Sequence, residues 1–196
     1  MAAAPRTEGN RRQPLLRAAA RLFRDRGYRG TTIRDIAGAV GMRSGSPHYH
    51  FATKHEMLRA VILEGMRAAL AELEAIEARG LPPREAFGAL VRAHLGVIHD
   101  KGRDFVPVML SEFRELERAT RREIIALRDR YERIWQRALE RLRAEGEVRR
   151  ADRYARLFVL GALNWTSRWF RPKGALGLDR LAQEFTDYVC GGRRRP

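Results

Sequence analysis

The chain has 196 residues, 44% apolar and 32% charged, with 39 basic and 24 acidic side chains for a formal net charge of +15. That apolar content supports one or two compact units with a real core, and no stretch reaches the roughly eighteen uncharged apolar residues of a membrane span. A lone Cys190 excludes an internal disulfide and fits a reducing cytosol, so a cytoplasmic protein is expected.

The opening residues 1–10 lack the apolar segment of a secretory signal and read as a disordered basic arm. A helix is predicted over 11–26, with Leu15, Leu16, Ala19, Leu22 and Phe23 inward and Gly27 as its stop. Ile33, Ile36, Ala37 and Val40 then recur at i, i+3, i+4 and i+7, one apolar helical face. Thr32 and Asp35 have the spacing of a capping box. Gly41 is placed to leave the helix through the left-handed region, and Met42 to fill the corner. A short polar helix over about 44–51 follows, with Pro47 tolerated in its first turn. It carries Ser44, Ser46, His48, Tyr49 and His50, side chains able to reach phosphates and base edges. Thr53 and Glu56 open the next helix as a second capping box. This is the layout of a helix-turn-helix, whose second helix enters the major groove of double-stranded DNA.

Charge agrees. Residues 1–55 hold 11 Lys or Arg against three acids, Glu8, Asp25 and Asp35, so +8 of the +15 falls in about a quarter of the chain. Such a field suits phosphate neutralisation with counterion release. The preference for Arg over Lys has a separate source in base composition, but the scarcity of acids does not.

Beyond this module the pattern stays helical: 54–78, a break at Arg79-Gly80-Leu81-Pro82-Pro83, then 84–99, 105–116, 118–145, 152–170 and 179–190. Strand signals are almost absent, so an all-α fold is expected. Its parts are the arm 1–10, a DNA-binding domain over 11–58, a ligand-binding and dimerisation domain over 59–190, and a frayed tail 191–196. Leu157–Leu163 is an unbroken apolar run, one side of which can pack on its own bundle while the other meets a partner. Tyr154, Phe158, Gly161, Ala162, Trp165 and Trp169 form a stripe there, and the last helix adds Leu181, Phe185, Tyr188 and Val189. The dimer interface is therefore assigned to Phe158, Gly161, Ala162, Leu181, Phe185, Tyr188 and Val189, against the alternative of a monomeric core helix. For a ligand pocket, Phe105, Val108, Met109 and Phe113 surround Pro107, which is expected to disturb packing and leave space. Trp135, Trp165 and Trp169 are expected to help line that cavity, with plain core residues as the alternative reading.

Residues 15–58 resemble the DNA-binding region of the TetR family of bacterial transcriptional regulators. The resemblance rests on LLRAAARLFRDRGYRGTTIRDIAGAVGM, then S-G-S before H-Y-H-F, then K-x-E-M-L. It implies a homodimer on a near-palindromic operator, with half-sites about 34–36 Å apart or a multiple of that. Matching positions imply phosphate contacts from Thr32, Tyr49 and Lys54, and base-edge contacts from Arg43, Ser44, Ser46 and His48, with His50 beside them. Pro47-His48 stands where the family usually has an apolar residue and Tyr, a departure that bears on the individual contacts. The segment ALNWTSRWFRPKGAL resembles the C-terminal domain of a subgroup that includes acyl-CoA sensors, which implies Arg168, Arg171 and Lys173 as cations for a phosphate-bearing ligand.

The expected function is a repressor released from its operator when a small molecule favours another tilt of the fourth helix. An effector that promotes binding is the other sign the residues allow. Catalysis is not expected: H-E-x-x-H, C-x-x-C, G-x-S-x-G and a Gly-rich phosphate loop are missing, and His94 and His99, five apart, do not share a helical face. No cofactor or metal is called for. The rival is a sequence-indifferent basic architectural protein, which accounts for the charge but not for a large apolar C-terminal region.

Overall fold

The computed structural model describes residues 11–42, 46–100, 105–172 and 174–191. Among them are eight α-helices: α1 Arg12–Arg26, α2 Ile33–Ala39, α3 Lys54–Ala78, α4 Pro83–His99, α5 Phe105–Glu112, α6 Arg118–Ala144, α7 Arg153–Trp169 and α8 Leu178–Val189. Short 3-10 segments cover Ser46–Tyr49 and Phe113–Glu115, and the described residues contain no strand. No helix among them is long and apolar enough to cross a membrane.

The chain divides into two compact units: Met1–Glu64 with Asp104–Arg121, and Gly65–Arg103 with Arg122–Pro196. The expected boundary at residue 58 and the division after Glu64 both fall within α3, and α5 belongs to the unit that contains the N-terminal helices.

In the first unit Leu15, Ala19, Phe23, Ile36, Met57, Leu58 and Val108 are buried to within 1% of completely. Each large apolar side chain so buried contributes about 1.5–3 kcal/mol. The α1 C-terminus is finished by Gly27 at φ +73°, a value costly to any residue with a Cβ. Thr31, fully buried, donates its hydroxyl back to the Leu22 and Gly27 carbonyls at 3.2 and 2.9 Å, which satisfies acceptors left open at that helix end. The α2 capping box is complete: the Asp35 N–H donates to Thr32 Oγ1 at 3.1 Å, and the Thr32 N–H to Asp35 Oδ2 at 2.8 Å. Gly41, at φ +65°, lets the Met42 N–H reach back to the Ala37 carbonyl at 2.9 Å. Pro107 lies in the first turn of α5, where its missing N–H has no helical partner to lose. Val106 and Val108 on either side of it are buried, where the sequence expectation was disturbed packing.

In the second unit α4 is apolar on nearly every side, and Phe87, Leu90, Val91, Leu95 and Val97 are almost wholly buried. It lies within the bundle, next to α7 and α8. Along the outside, α3 and α6 are matched by charge: Glu74 with Arg130 at 2.7 Å, Glu77 with Arg137 in a two-pronged pair at 2.7 Å, and Arg67 with Glu123. Exposed pairs of this kind contribute little singly, but their spacing fixes the register of the two helices. Arg84, half-buried, joins Glu147 at 2.9 Å and Asp187 at 2.6 Å, tying α4 to the end of α6 and to α8.

Candidate nucleic-acid interface and effector cluster

The helix-turn-helix presents its polar residues outward from a fixed frame. Tyr49 is 83% exposed at the end of the Ser46–Tyr49 segment, its ring meeting His50 edge-on at 5.5 Å. His48 is exposed, with Nδ1 3.3 Å from the Ala52 carbonyl. Ser46 and Pro47 belong to the 3-10 segment, and Arg43 and Ser44 lie outside the described residues. At the start of α3 the Glu56 N–H donates to Thr53 Oγ1 at 3.0 Å, while Glu56 Oε2 accepts from the Ala52 N–H at 2.8 Å, one residue earlier than a standard capping box. Thr32 is exposed, and its hydroxyl is held by Asp35 at 2.7 Å. That bond, with the one from the Thr32 N–H, holds the Asp35 carboxyl below its usual range.

Lys54, expected to contact a phosphate, is also engaged within the fold. Its ammonium donates to the Tyr28 and Thr31 carbonyls at 2.8 and 2.9 Å and lies 4.2 Å from the centre of the Tyr28 ring. An ammonium has three donors; two are used inside the fold, so Lys54 joins the α1–α2 loop to α3 before it can serve as a free phosphate ligand.

The second unit holds a buried polar cluster drawn from three helices. His94 on α4 has Nδ1 2.7 Å from the Tyr131 hydroxyl of α6, and Nε2 3.2 Å from Asn164 Oδ1 of α7. Desolvation pushes the imidazole down to about 4, so it is neutral at physiological pH. With the amide oxygen as acceptor, Nε2 carries the proton and Nδ1 accepts from Tyr131, whose phenol burial pushes far above its ordinary range. Trp135, fully buried, stands edge-on to both His94 and Phe87 at 5.7 and 5.8 Å. Its indole N–H makes no full hydrogen bond, and a weaker contact with the Tyr131 hydroxyl partly opposes that phenol's upward shift. One turn on, His99 donates from Nε2 to Thr166 Oγ1 at 2.8 Å, since that hydroxyl is itself spent on the Leu163 carbonyl at 2.6 Å.

The other residues expected to line a pocket are placed elsewhere. Phe105 and Val108 are core of the first unit, with Met109 and Phe113 half-buried there. Trp165 and Trp169 are 65% and 50% exposed and so do not share an interior wall with Trp135. Arg168 and Arg171 are exposed, and Lys173 lies outside the described residues. Tyr154, Leu157, Phe158, Trp165 and Trp169 instead form an apolar stripe on the outside of α7, with Gly161 and Ala162 exposed among them. On α8, Tyr188 is exposed and Phe185 and Val189 are half-buried, but Leu181 is only 7% exposed. The first turn of α8 is packed into its own unit, so Leu181 is a core residue and not an interface one.

Comparison with known proteins decides the family. Residues 15–61 match the model of bacterial regulatory proteins of the tetR family, and residues 80–193 match that of a tetracyclin repressor-like C-terminal domain. The chain belongs to the TetR family. It is 31% identical to the HTH-type transcriptional repressor KstR2 of Rhodococcus jostii, over 96% of this chain and 94% of the relative. Among solved structures, superantigen PfiT is 39% identical with a TM-score of 0.73, covering 95% of this chain and 98% of that one. AibR in complex with isovaleryl coenzyme A and operator DNA is 27% identical with a TM-score of 0.81, covering 92% and 98%. In this TetR-family chain neither Thr31 at the end of α1 nor the separate His94–Tyr131–Asn164 set of the second unit is among the functional residues expected from sequence. A His and an Asn in otherwise apolar helical stretches were the available signal, since buried polar groups require partners.

Proposed function

We propose that this regulator is a homodimeric repressor that leaves a palindromic operator when a hydrophobic small molecule, such as an acyl-CoA, binds its second unit. The observation that carries the reading is the α7 stripe: five large apolar side chains exposed along one helix, an arrangement that marks an interface where no described helix is long and apolar enough to cross a membrane. Two copies joined there carry two exposed Tyr49 segments, the requirement for a two-half-site operator. The repressor relative supports repression, and the AibR complex with isovaleryl coenzyme A and operator DNA supports the class of effector.

The test is selection of bound fragments from the source genome by purified protein at near-physiological salt, followed by titration of the recovered site with isovaleryl-CoA. One palindromic motif, bound by a dimer and released by the thioester, is the expected result. Random fragments that dissociate as salt rises would instead establish the architectural alternative. Sedimentation as a monomer at micromolar concentration would overturn the dimer.

A further inference from the structure

Ala52 is held from both sides. Its N–H donates to Glu56 Oε2 at 2.8 Å, and its carbonyl oxygen lies 3.3 Å from His48 Nδ1. The residue precedes the Thr53 cap, whose own carbonyl takes the first bond of the α3 ladder, from the Met57 N–H. The Ala52 carbonyl thus stands outside that ladder and is open to a side chain. A carbonyl oxygen only accepts, so Nδ1 is the nitrogen that carries the proton of the neutral ring; the bond made by one ring nitrogen sets the state of the other. Held in this way, neutral His48 has a bare Nε2, an acceptor with no proton to give. The side chain is exposed, and Nε2 has no bond among the described residues.

We propose that His48 determines specificity at one operator position, its Nε2 accepting from an exocyclic amino group, adenine N6 or cytosine N4, on the major-groove edge. This rests on the operator-binding reading above and names the chemistry read there. The polarity of DNA decides the partner. Phosphate oxygens accept and never donate, so a neutral ring with only a lone pair to offer cannot anchor the backbone. In the major groove guanine N7 and O6, adenine N7 and thymine O4 also accept, and the donors are the amino groups of adenine and cytosine alone. An acceptor-only side chain therefore separates adenine and cytosine from guanine and thymine on the strand it meets. Tyr49 takes the complementary part. Its hydroxyl, on a ring 83% exposed, has a proton to give to a phosphate, and it projects about a third of a turn round the 3-10 segment from His48. Glu56 is a positioning residue. By holding the Ala52 N–H at the head of α3 it fixes the carbonyl that sets the His48 tautomer, so the base read at this position is governed in part by the cap of the following helix.

The test has two arms, both on the full-length protein at pH 8, above the ordinary range of imidazole protonation. Long-range proton–nitrogen correlation spectra, with the His48 signals identified by their loss in His48→Ala, are expected to place the ring proton on Nδ1. A proton on Nε2 overturns the proposal. In the second arm, duplexes are selected from a randomised library, and the recovered half-site is rebuilt with one amino group removed at a time, purine replacing adenine and 2-pyrimidinone replacing cytosine. At one adenine or cytosine per half-site the removal is expected to weaken wild-type binding at least about fivefold and to leave the binding of His48→Ala unchanged. Because the position is exposed, His48→Ala should unfold at the same urea concentration as the wild type. Removals that cost both proteins equally at every position overturn the role of His48 and leave the operator reading standing. A library that yields no motif sinks both.

Discussion

The Arg29 guanidinium lies 3.0 Å from the Glu115 carboxylate, joining the loop between α1 and α2 to the 3-10 segment after α5. The pair is largely solvated and contributes under about 1 kcal/mol to stability. Its value is positional: the loop carries Thr31 and Thr32, which set the start of α2. Glu115→Arg is expected to leave the unfolding midpoint nearly unchanged and to weaken operator binding about three- to tenfold, or about 0.7–1.4 kcal/mol. The double exchange Arg29→Glu with Glu115→Arg should recover most of the loss in a fluorescence anisotropy titration. Equal affinity in all three proteins would show that the pair positions nothing.

Lys54 and Tyr49 should separate folding from DNA contact. Lys54→Met removes the ammonium and leaves the Tyr28 and Thr31 carbonyls without it, at a cost of about 1–3 kcal/mol in urea unfolding. Tyr49→Ala removes an exposed ring and should leave unfolding unchanged while weakening operator binding at least tenfold, or about 1.4 kcal/mol.

Phe158, 73% exposed at the middle of the α7 stripe, is the natural position for a disruptive charge. Phe158→Glu should shift the sedimenting species from dimer to monomer without lowering helix content, and operator affinity should fall with it. A variant that stays dimeric would move the interface away from α7.

Buried His94 predicts a specific acid sensitivity. The unfolded chain takes up a proton on this ring as pH falls below 6.5, but the folded chain holds it neutral down to about 4. Stability is therefore fully present above 6.5 and is lost as pH falls towards 4, by roughly 3 kcal/mol. His99, also depressed by burial, adds in the same direction. Glu77 and Asp187, held low by Arg137 and by Gln183 with Arg84, lose their contributions only under more acidic conditions. Urea unfolding between pH 7 and 5 should thus show a slope that flattens in His94→Gln.

The helices were legible because their stripes and stops are local. Ile33 to Val40, Gly41 and the Thr-x-x-Glu at 53–56 each state their structure within one or two turns. The interior site was not, because its partners are joined only by the fold: His94 meets Tyr131 and Asn164 from 37 and 70 positions away. Lys54 shows the same limit. Its position matches a phosphate contact, yet the carbonyls that engage it lie 23 and 26 residues back. The run Leu157–Leu163 revealed that two sides of α7 were apolar but not which tryptophans faced out, since an unbroken run carries no phase.

The peptide chain passes from one compact unit to the other after residues 64, 103 and 121. A single recombination event near the end of the tetR-family match, at residue 61, would therefore transplant an operator reader without α5 and the Glu112–Glu117 corner that fold with it. New pairings of operator and effector in such a lineage should arise more readily by point substitution around Tyr49 than by exchange of modules. A designed chimera would need to transfer residues 104–121 along with 1–64.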